Sequence, residues 1–428
     1  MNTGGIRLSL LAMLATLIVA PGPSSRQGLS AQTKRATFLI GNVRIFDGER
    51  TRPGMNVVVE DGIIRVVESR TDKLGGLPVI DGLGATLLPG LIDAHTHPEG
   101  ATALQDSLRF GVTTVLGMGI TTTADERAVR GAAASRVDVA DYRSAGIPAT
   151  APDAHGTFGV ATTVASPGEA EAFVLARKSG AADYLKIILN GVRTATSRIP
   201  NMTEDTATAL VRAAHAREML VVAHVESLED VRVALASGVD GLAHLWREDG
   251  PADEIVRRIV AQRVFVVPTV VIPDALVPGS GAALAADLRL QPFLTANVKQ
   301  RLDRPPTGTV LPNINWRLAA IGRLHASGAR LLTGTDADDG TRSASGVHMH
   351  RELELLVKSG LTPSEALAAA TAKIADAFRL RDRGRIVPGQ RADLLLVRGD
   401  PTVDITATRD ILRVWRSGVE FDRQLGQR

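Results

Sequence analysis

The chain contains no cysteine among its 428 residues. Disulfides and thiolate metal ligands are therefore excluded, and any metal site has to use His, Asp, Glu or a modified Lys. Aromatic residues are only 3% of the chain, which argues against base stacking on aromatic platforms. The net charge of +3 is small for this length, and no dense run of Lys and Arg occurs. Nucleic acid is thus a poor partner. Beyond the leader described next, no stretch is long and apolar enough to cross a bilayer, which takes about 20 residues. The remaining balance, 44% hydrophobic and 22% charged, is that of a soluble globular protein with a large core, or of one large domain plus a small one.

The first segment, "MNTGGIRLSLLAMLATLIVAPGPSSRQGLSAQT", carries an early Arg7, an apolar stretch from Leu8 to Ala20, then Pro, Gly and Ser. That is the layout of a secretory signal peptide, 1–31, with cleavage expected near Ala31. An uncleaved membrane anchor is the alternative. Export of a cysteine-free chain suits a bacterial periplasm or the extracellular space, and no membrane association is expected after cleavage.

Both ends of the remaining chain read as short strands with turns. Residues 35–85 turn at Asp47-Gly48, Pro53-Gly54 and Asp61-Gly62, and residues 383–428 have the same texture. They are expected to form one small β-sandwich from two parts. Between them, over 86–382, strand-length apolar runs alternate with helical patterns. The expected strands are Thr86–Ala94, Val112–Leu116, Ile147–Ala151, Tyr184–Leu189, Leu220–Ala223, Gly241–Ala243, Val264–Val271 and Ala329–Gly334. One helical pattern, "ESLEDVRVALASG", stops at Gly238. Eight strands each followed by a helix predict an α/β chain folded as a (β/α)8 TIM barrel. The connection from about Ile272 to Asn315 is long for a loop. It reads as a lid or as a locally helical insertion.

Active sites of such barrels lie at the C-terminal ends of the strands. The first strand runs "LLPGLIDAHTHPEG" and ends in His95 and His97, which share one face with Asp93. The fifth ends in His224, the sixth in His244 and the eighth in Asp336. Four of nine histidines at strand ends point to a metal site rather than to polar residues leaving a core. Lys186 stands inside the fourth strand, "DYLKIILNG". Burial beside metal ions would depress its pKa, and a neutral amine can add carbon dioxide to give a carbamate that bridges two ions. The other reading is a lysine whose head snorkels to the barrel mouth.

Taken together, "LPGLIDAHTH", "YLKI", "VVAHVE" with His244 twenty residues after His224, and "LLTGTDA" resemble the amidohydrolase superfamily. The similarity is greatest to its branch of Xaa-Pro dipeptidases and imidazolonepropionase-like proteins. The helices of "HRELELLVKSGLTPSEALAAATAKIADAF" and the return "GRIVPGQRADLLLV" extend the likeness over nearly the whole mature chain. The resemblance implies a distorted barrel, a small β-sandwich and one or two divalent metal ions, the presence of Lys186 favouring two, with Zn2+ the expected metal. His95 and His97 would hold the first ion, His224 and His244 the second, and carboxylated Lys186 would bridge them. Asp336 would touch the first ion and shuttle the proton as an activated water attacks an amide carbonyl.

This chain departs from the branch after the fifth-strand ligand ("AHVES"), around the sixth ("AHLW") and after Lys186 ("IILNG"). The ligands survive these changes, and the substrate is left open. His155, Tyr184, Asn190 and Trp246 are the candidate substrate-binding residues. His350 is expected to cap or pack a helix, and His215 and His325 to lie on surfaces. The expected activity is amide hydrolysis, of an N-acyl amino acid or an Xaa-Pro-like dipeptide. The alternatives are a one-metal deaminase or cyclic-amide hydrolase, and an exported binding protein without catalysis. The partner is a small molecule or short peptide; a homo-oligomer stays open.

Overall fold

The structure is a computed structural model. It describes Met1 and residues 36–69, 76–119, 122–156, 163–191, 200–248, 252–304, 314–338 and 342–425. The chain divides into Met1–Lys34 and Arg35–Arg428. The expected leader lies outside the described residues, Met1 excepted. Among the described residues no helix is long and apolar enough to cross a membrane.

The central strands are parallel and alternate with helices, as the apolar periodicity predicts. They fall into two hydrogen-bonded sheets. One holds the first, second and third strands (Leu91–His97, Val112–Gly117, Asp141–Ser144), with the short strand Ala337–Asp338 beside the first. The other holds the fourth to eighth (Leu185–Ile188, Val221–His224, Gly241–Ala243, Phe265–Val267, Arg330–Leu331) in sequence order. A closed barrel ladder is therefore not seen among the described residues. Single contacts do join the two sheets. Ala149 bridges to Ile187, and Ala94 N–H donates to the Thr333 carbonyl at 3.0 Å.

The third strand differs from expectation. Ile147–Ala151 contributes only isolated bridges at Ala149 and Thr150, and the regular strand lies earlier, at Asp141–Ser144. Gly146 takes a left-handed φ of 64°, and Pro148 has no N–H to give to a ladder. Together they interrupt the run.

Side-chain alternation sorts the core. Val221 and Ala223 join the cluster that includes the helix residues Leu210, Val231 and Ile255, whereas Leu220 and Val222 join a separate one with Tyr184 and Phe265. With a period of two, Lys186 follows Tyr184 and His224 follows Val222 onto that second face. The helix Leu228–Ser237 explains why its sequence was legible. Ser227 and Asp230 form a capping box, and Gly238 closes it at φ 82°.

The chain ends pair as predicted, but in one eight-stranded sheet. Its order runs Val419–Glu420, Ile411–Arg416, Leu394–Val397, Thr86–Pro89, Phe38–Phe46, Thr51–Glu60, Ile63–Glu68, with Val79–Asp81 also on Phe38–Phe46. Two stacked sheets, the expected sandwich, are not seen among the described residues. Thr86–Pro89, expected to open the first barrel strand, belongs to this sheet instead, and Gly90 separates it from Leu91. The long connection is the helical insertion. Ser280–Ala285 and Ala296–Leu302 bury Leu284, Val298 and Leu302 against Phe110 and Val347.

Candidate metal centre and active site

The strand ends deliver the predicted residues to one place. His95 Nε2 and His97 Nε2 are 3.3 Å apart. Each lies 3.1 Å from the same oxygen, Asp336 Oδ1. These three form a group whose ligand atoms lie within 4.8 Å of one another. His244 and His224 adjoin this group without belonging to it. Ring centroids step 4.7 Å from His95 to His244, 4.5 Å to His224 and 5.2 Å to His155.

Backbone geometry makes this convergence possible. Gly334 sits so close to the first strand that a Cβ there would come within 2.9 Å of His95 Cβ. Asp336 N–H donates to the His95 carbonyl at 2.7 Å. Asp336, His244 and Thr269 all adopt left-handed φ, at 51°, 71° and 48°. Non-glycine residues pay of order 1 kcal/mol or more for this, a strain that recurs where side chains must be aimed.

Hydrogen bonds set the tautomers. His97 Nδ1 lies 3.0 Å from the Gly119 carbonyl. It must be the protonated nitrogen, which leaves Nε2 of the neutral ring with its lone pair. The Thr269 hydroxyl donates to the Pro268 carbonyl at 2.8 Å and so accepts from His244 Nδ1 at 2.7 Å. His244 Nε2 is freed in the same way. Outer-shell contacts of this kind orient metal-binding imidazoles.

Burial keeps these rings neutral. Desolvation lowers His95 to about 3, with Lys186 adding to it. His224 and His244 are also held well below the ordinary histidine value, mainly by burial. Burial alone would raise Asp336, but its contacts with His95, His97 and His244 outweigh that and hold it well below the usual carboxylate range. Lys186, 2% exposed, is lowered by desolvation to about 7, against a small opposing pull from Asp336.

This donor set fits a divalent metal. Ligands held at ~2.0–2.1 Å in a tetrahedral shell are about 3.3–3.4 Å apart, close to the spacings of the two imidazoles and the carboxylate. Neutral nitrogens and an ionised carboxylate are the protonation states that a metal needs.

The other candidates divide. Asn190 Nδ2 is 3.5 Å from His224 Nε2, and His155 stacks on the same ring, so both reach the histidine cluster. Tyr184 does not: its hydroxyl donates to the Gly117 carbonyl at 2.8 Å and its ring packs on Phe378. Trp246 is 3% exposed and belongs to the main apolar core. His348 Nδ1 accepts from Ala344 N–H at 2.7 Å, and His350 is buried between Thr408 and Phe110. His215 and His325 pair with Asp240 and Glu365.

The supporting roles of three residues escaped the sequence reading. Asp93 accepts from His95 N–H at 3.1 Å and from the backbone and hydroxyl of Thr335 at 3.0 and 2.5 Å, tying the first strand to the segment that bears Asp336. Glu352 is fully buried and accepts from Val270 and Val271 N–H at 3.1 and 2.7 Å. It thereby pins the turn that holds the third, Thr269. Its place between Met349, Leu353 and Leu356 on an apolar helix face was the available signal. A glutamine in its place offers one acceptor and turns an NH2 toward a backbone N–H. Glu352→Gln is therefore expected to weaken metal retention by about 10- to 100-fold, measured by titrating the metal-free protein. A lower melting temperature with unchanged affinity would refute this.

A parallel α/β array that gathers imidazoles and a carboxylate at its strand ends has the layout of a metal-dependent hydrolase. The amidohydrolase family profile matches residues 86–420. The chain belongs to that family and is a hydrolase acting on carbon–nitrogen bonds. It is 26% identical over 383 residues to an imidazolonepropionase of Deinococcus deserti, covering 85% of this chain and 90% of that one. It is 29% identical to an imidazolonepropionase of Anaeromyxobacter dehalogenans, over 80% and 84%. Among solved structures, a Xaa-Pro dipeptidase with methionine bound in its active site superposes with a TM-score of 0.72 at 20% identity, covering 90% of this chain and all of that one. A protein described as a prolidase from Bifidobacterium longum gives 0.72 at 25%, over 92% and 96%.

Proposed function

We propose that the enzyme hydrolyses the amide bond of an N-acyl amino acid or an Xaa-Pro-like dipeptide, using two divalent ions, Zn2+ by expectation, bridged by carboxylated Lys186. The observation that carries this reading is the union of the His95–His97–Asp336 group with a buried lysine whose pKa is lowered to about 7, so that a substantial share of its amine is neutral near that pH. Such an amine can add carbon dioxide, and the carbamate replaces an isolated buried cation by an anionic ligand. His95 and His97 would hold one ion, His224 and His244 the other, and Asp336 would also touch the first.

A bound ion supplies Lewis acidity and lowers the pKa of its water toward ~7. The remaining work falls to this chain. Asp336, ionised and aimed by His95 and His97, takes the proton from the attacking water and returns it to the leaving amine. Asn190 and His155 border His224 and orient the substrate. The parallel strands from Leu91 onward act as a (β/α)8 barrel, beside the sheet that the two chain ends form with Thr86–Pro89. The leader 1–31 directs export.

A second reading, hydrolysis of a cyclic amide at one metal, is supported by the names of the curated relatives. Metal content separates the two. Protein purified with bicarbonate and zinc should carry close to two ions per chain and cleave acyl–amino acids or dipeptides. Close to one ion, with an unmodified Lys186 by mass spectrometry, would favour the second reading.

A further inference from the structure

Beyond their metal-type donors, the first and eighth strands each lead to an acid. Glu99 stands two residues after His97, and Asp338 two residues after Asp336. Arg301, from the helix Ala296–Leu302 of the long insertion, reaches both. Its Nη2 donates to Glu99 Oε2 at 2.8 Å, and its Nε lies 3.4 Å from Asp338 Oδ1. The arginine side chain is 12% exposed and that of Asp338 is fully buried, whereas Glu99 is open to solvent.

Backbone ties both acids to the site. Asp338 pairs with His97, and Ala337 with Thr96, across two parallel strands. Asp338, like Asp336, holds a left-handed φ, at 72°. A backbone in that region persists where its surroundings over-determine it. Ser345 supplies one restraint, donating to Asp338 Oδ2 at 2.5 Å, and Arg301 supplies another on Oδ1. The arginine itself comes from a fixed platform. Thr295 caps its helix and donates to buried Asp106 at 3.2 Å. Val298 and Leu302 share an apolar cluster with Phe110 and Val347. Asp106 lies in the helix that follows the first strand, and Phe110 ends it. A buried carboxylate deprived of its cation is unfavourable. One relief is to turn toward water, and the strand pairing would carry that movement to His97 and Asp336.

We propose that Arg301 is a positioning residue of the metal centre. By gripping the acids just past both donors, it holds the ends of the first and eighth strands where His97 Nε2 and Asp336 Oδ1 are 3.1 Å apart. This rests on the metal-hydrolase reading of the site and gives the insertion a part in it.

The test uses the metal-free full chain, titrated with Zn2+ against a competing chelator. Arg301→Met should bind about 10- to 100-fold more weakly, the range for residues that orient metal ligands. Arg301→Lys, which keeps the charge without the fork, should recover part of that loss. Asp338→Asn removes the buried charge and keeps the shape. It should weaken binding too, and adding Arg301→Met to it should cost little more. Glu99→Gln should change affinity less than either, because an exposed pair contributes little. With Co2+ at saturation, the visible absorption of Arg301→Met should differ from that of the wild type, since it follows ligand geometry. A role in stability alone would lower the melting temperature of the metal-free variants and leave affinity and spectrum as in the wild type. That result in Arg301→Met or, should that variant not fold, in Asp338→Asn would overturn the positioning role and leave the metal-hydrolase reading standing. Wild-type protein that binds neither ion would overturn both.

Discussion

Asp336→Asn is expected to cut turnover by about 10²- to 10⁴-fold, the usual worth of a positioned acid–base group, while most of the bound metal is retained. Asparagine keeps an oxygen where Asp336 Oδ1 stands 3.1 Å from His95 and His97 Nε2. It can still ligate alongside those groups. What it loses is the ability to take and return a proton. Steady-state kcat measured together with metal content separates the two functions. Unchanged turnover would remove Asp336 from the proton-transfer role. Loss of all metal would make it chiefly a ligand.

Lys186→Ala should lower the metal content from two ions to one and reduce activity by more than the ~10- to 100-fold typical of outer-shell partners. The side chain is 2% exposed on the face that carries His224, so its removal leaves a cavity. A short carboxylate such as acetate or propionate can enter that space and supply the two oxygens of the missing carbamate. Partial recovery of metal and activity with added carboxylate is therefore expected. If Lys186→Ala keeps two ions, or if no condition restores the second, the bridging role fails. In that case Lys186 is a buried amine serving the fold.

The residues of the candidate site were legible because each stands at the end of an apolar run. His95, His97 and His224 close their strands, His244 and Asp336 follow theirs, and a parallel α/β chain places its strand ends together. Lys186 was legible for a related reason, as a cation in the middle of such a run. The third strand was misplaced because Gly146 and Pro148 break a segment that looks continuous by hydrophobicity. The role of Thr86–Pro89 was misread because the apolar run from Thr86 to Ala94 spans two sheets, and only the turn at Gly90 divides it.

By itself, then, the sequence determined the alternation of strands and helices, the pairing of the chain ends and which imidazoles and carboxylate gather at the candidate site. All of these follow from local patterns with periods of two or 3.6 residues and from residue chemistry. The tertiary structure alone decided which nitrogen His97 and His244 turn toward the site. That depends on Gly119, Thr269 and, through Val270 and Val271, on Glu352, a residue 108 positions beyond His244. It also decided that Tyr184 and Trp246 are packing residues while Asn190 and His155 reach the cluster. Hydrogen-bond partners and burial at such distances are properties of packing, and no local spacing encodes them.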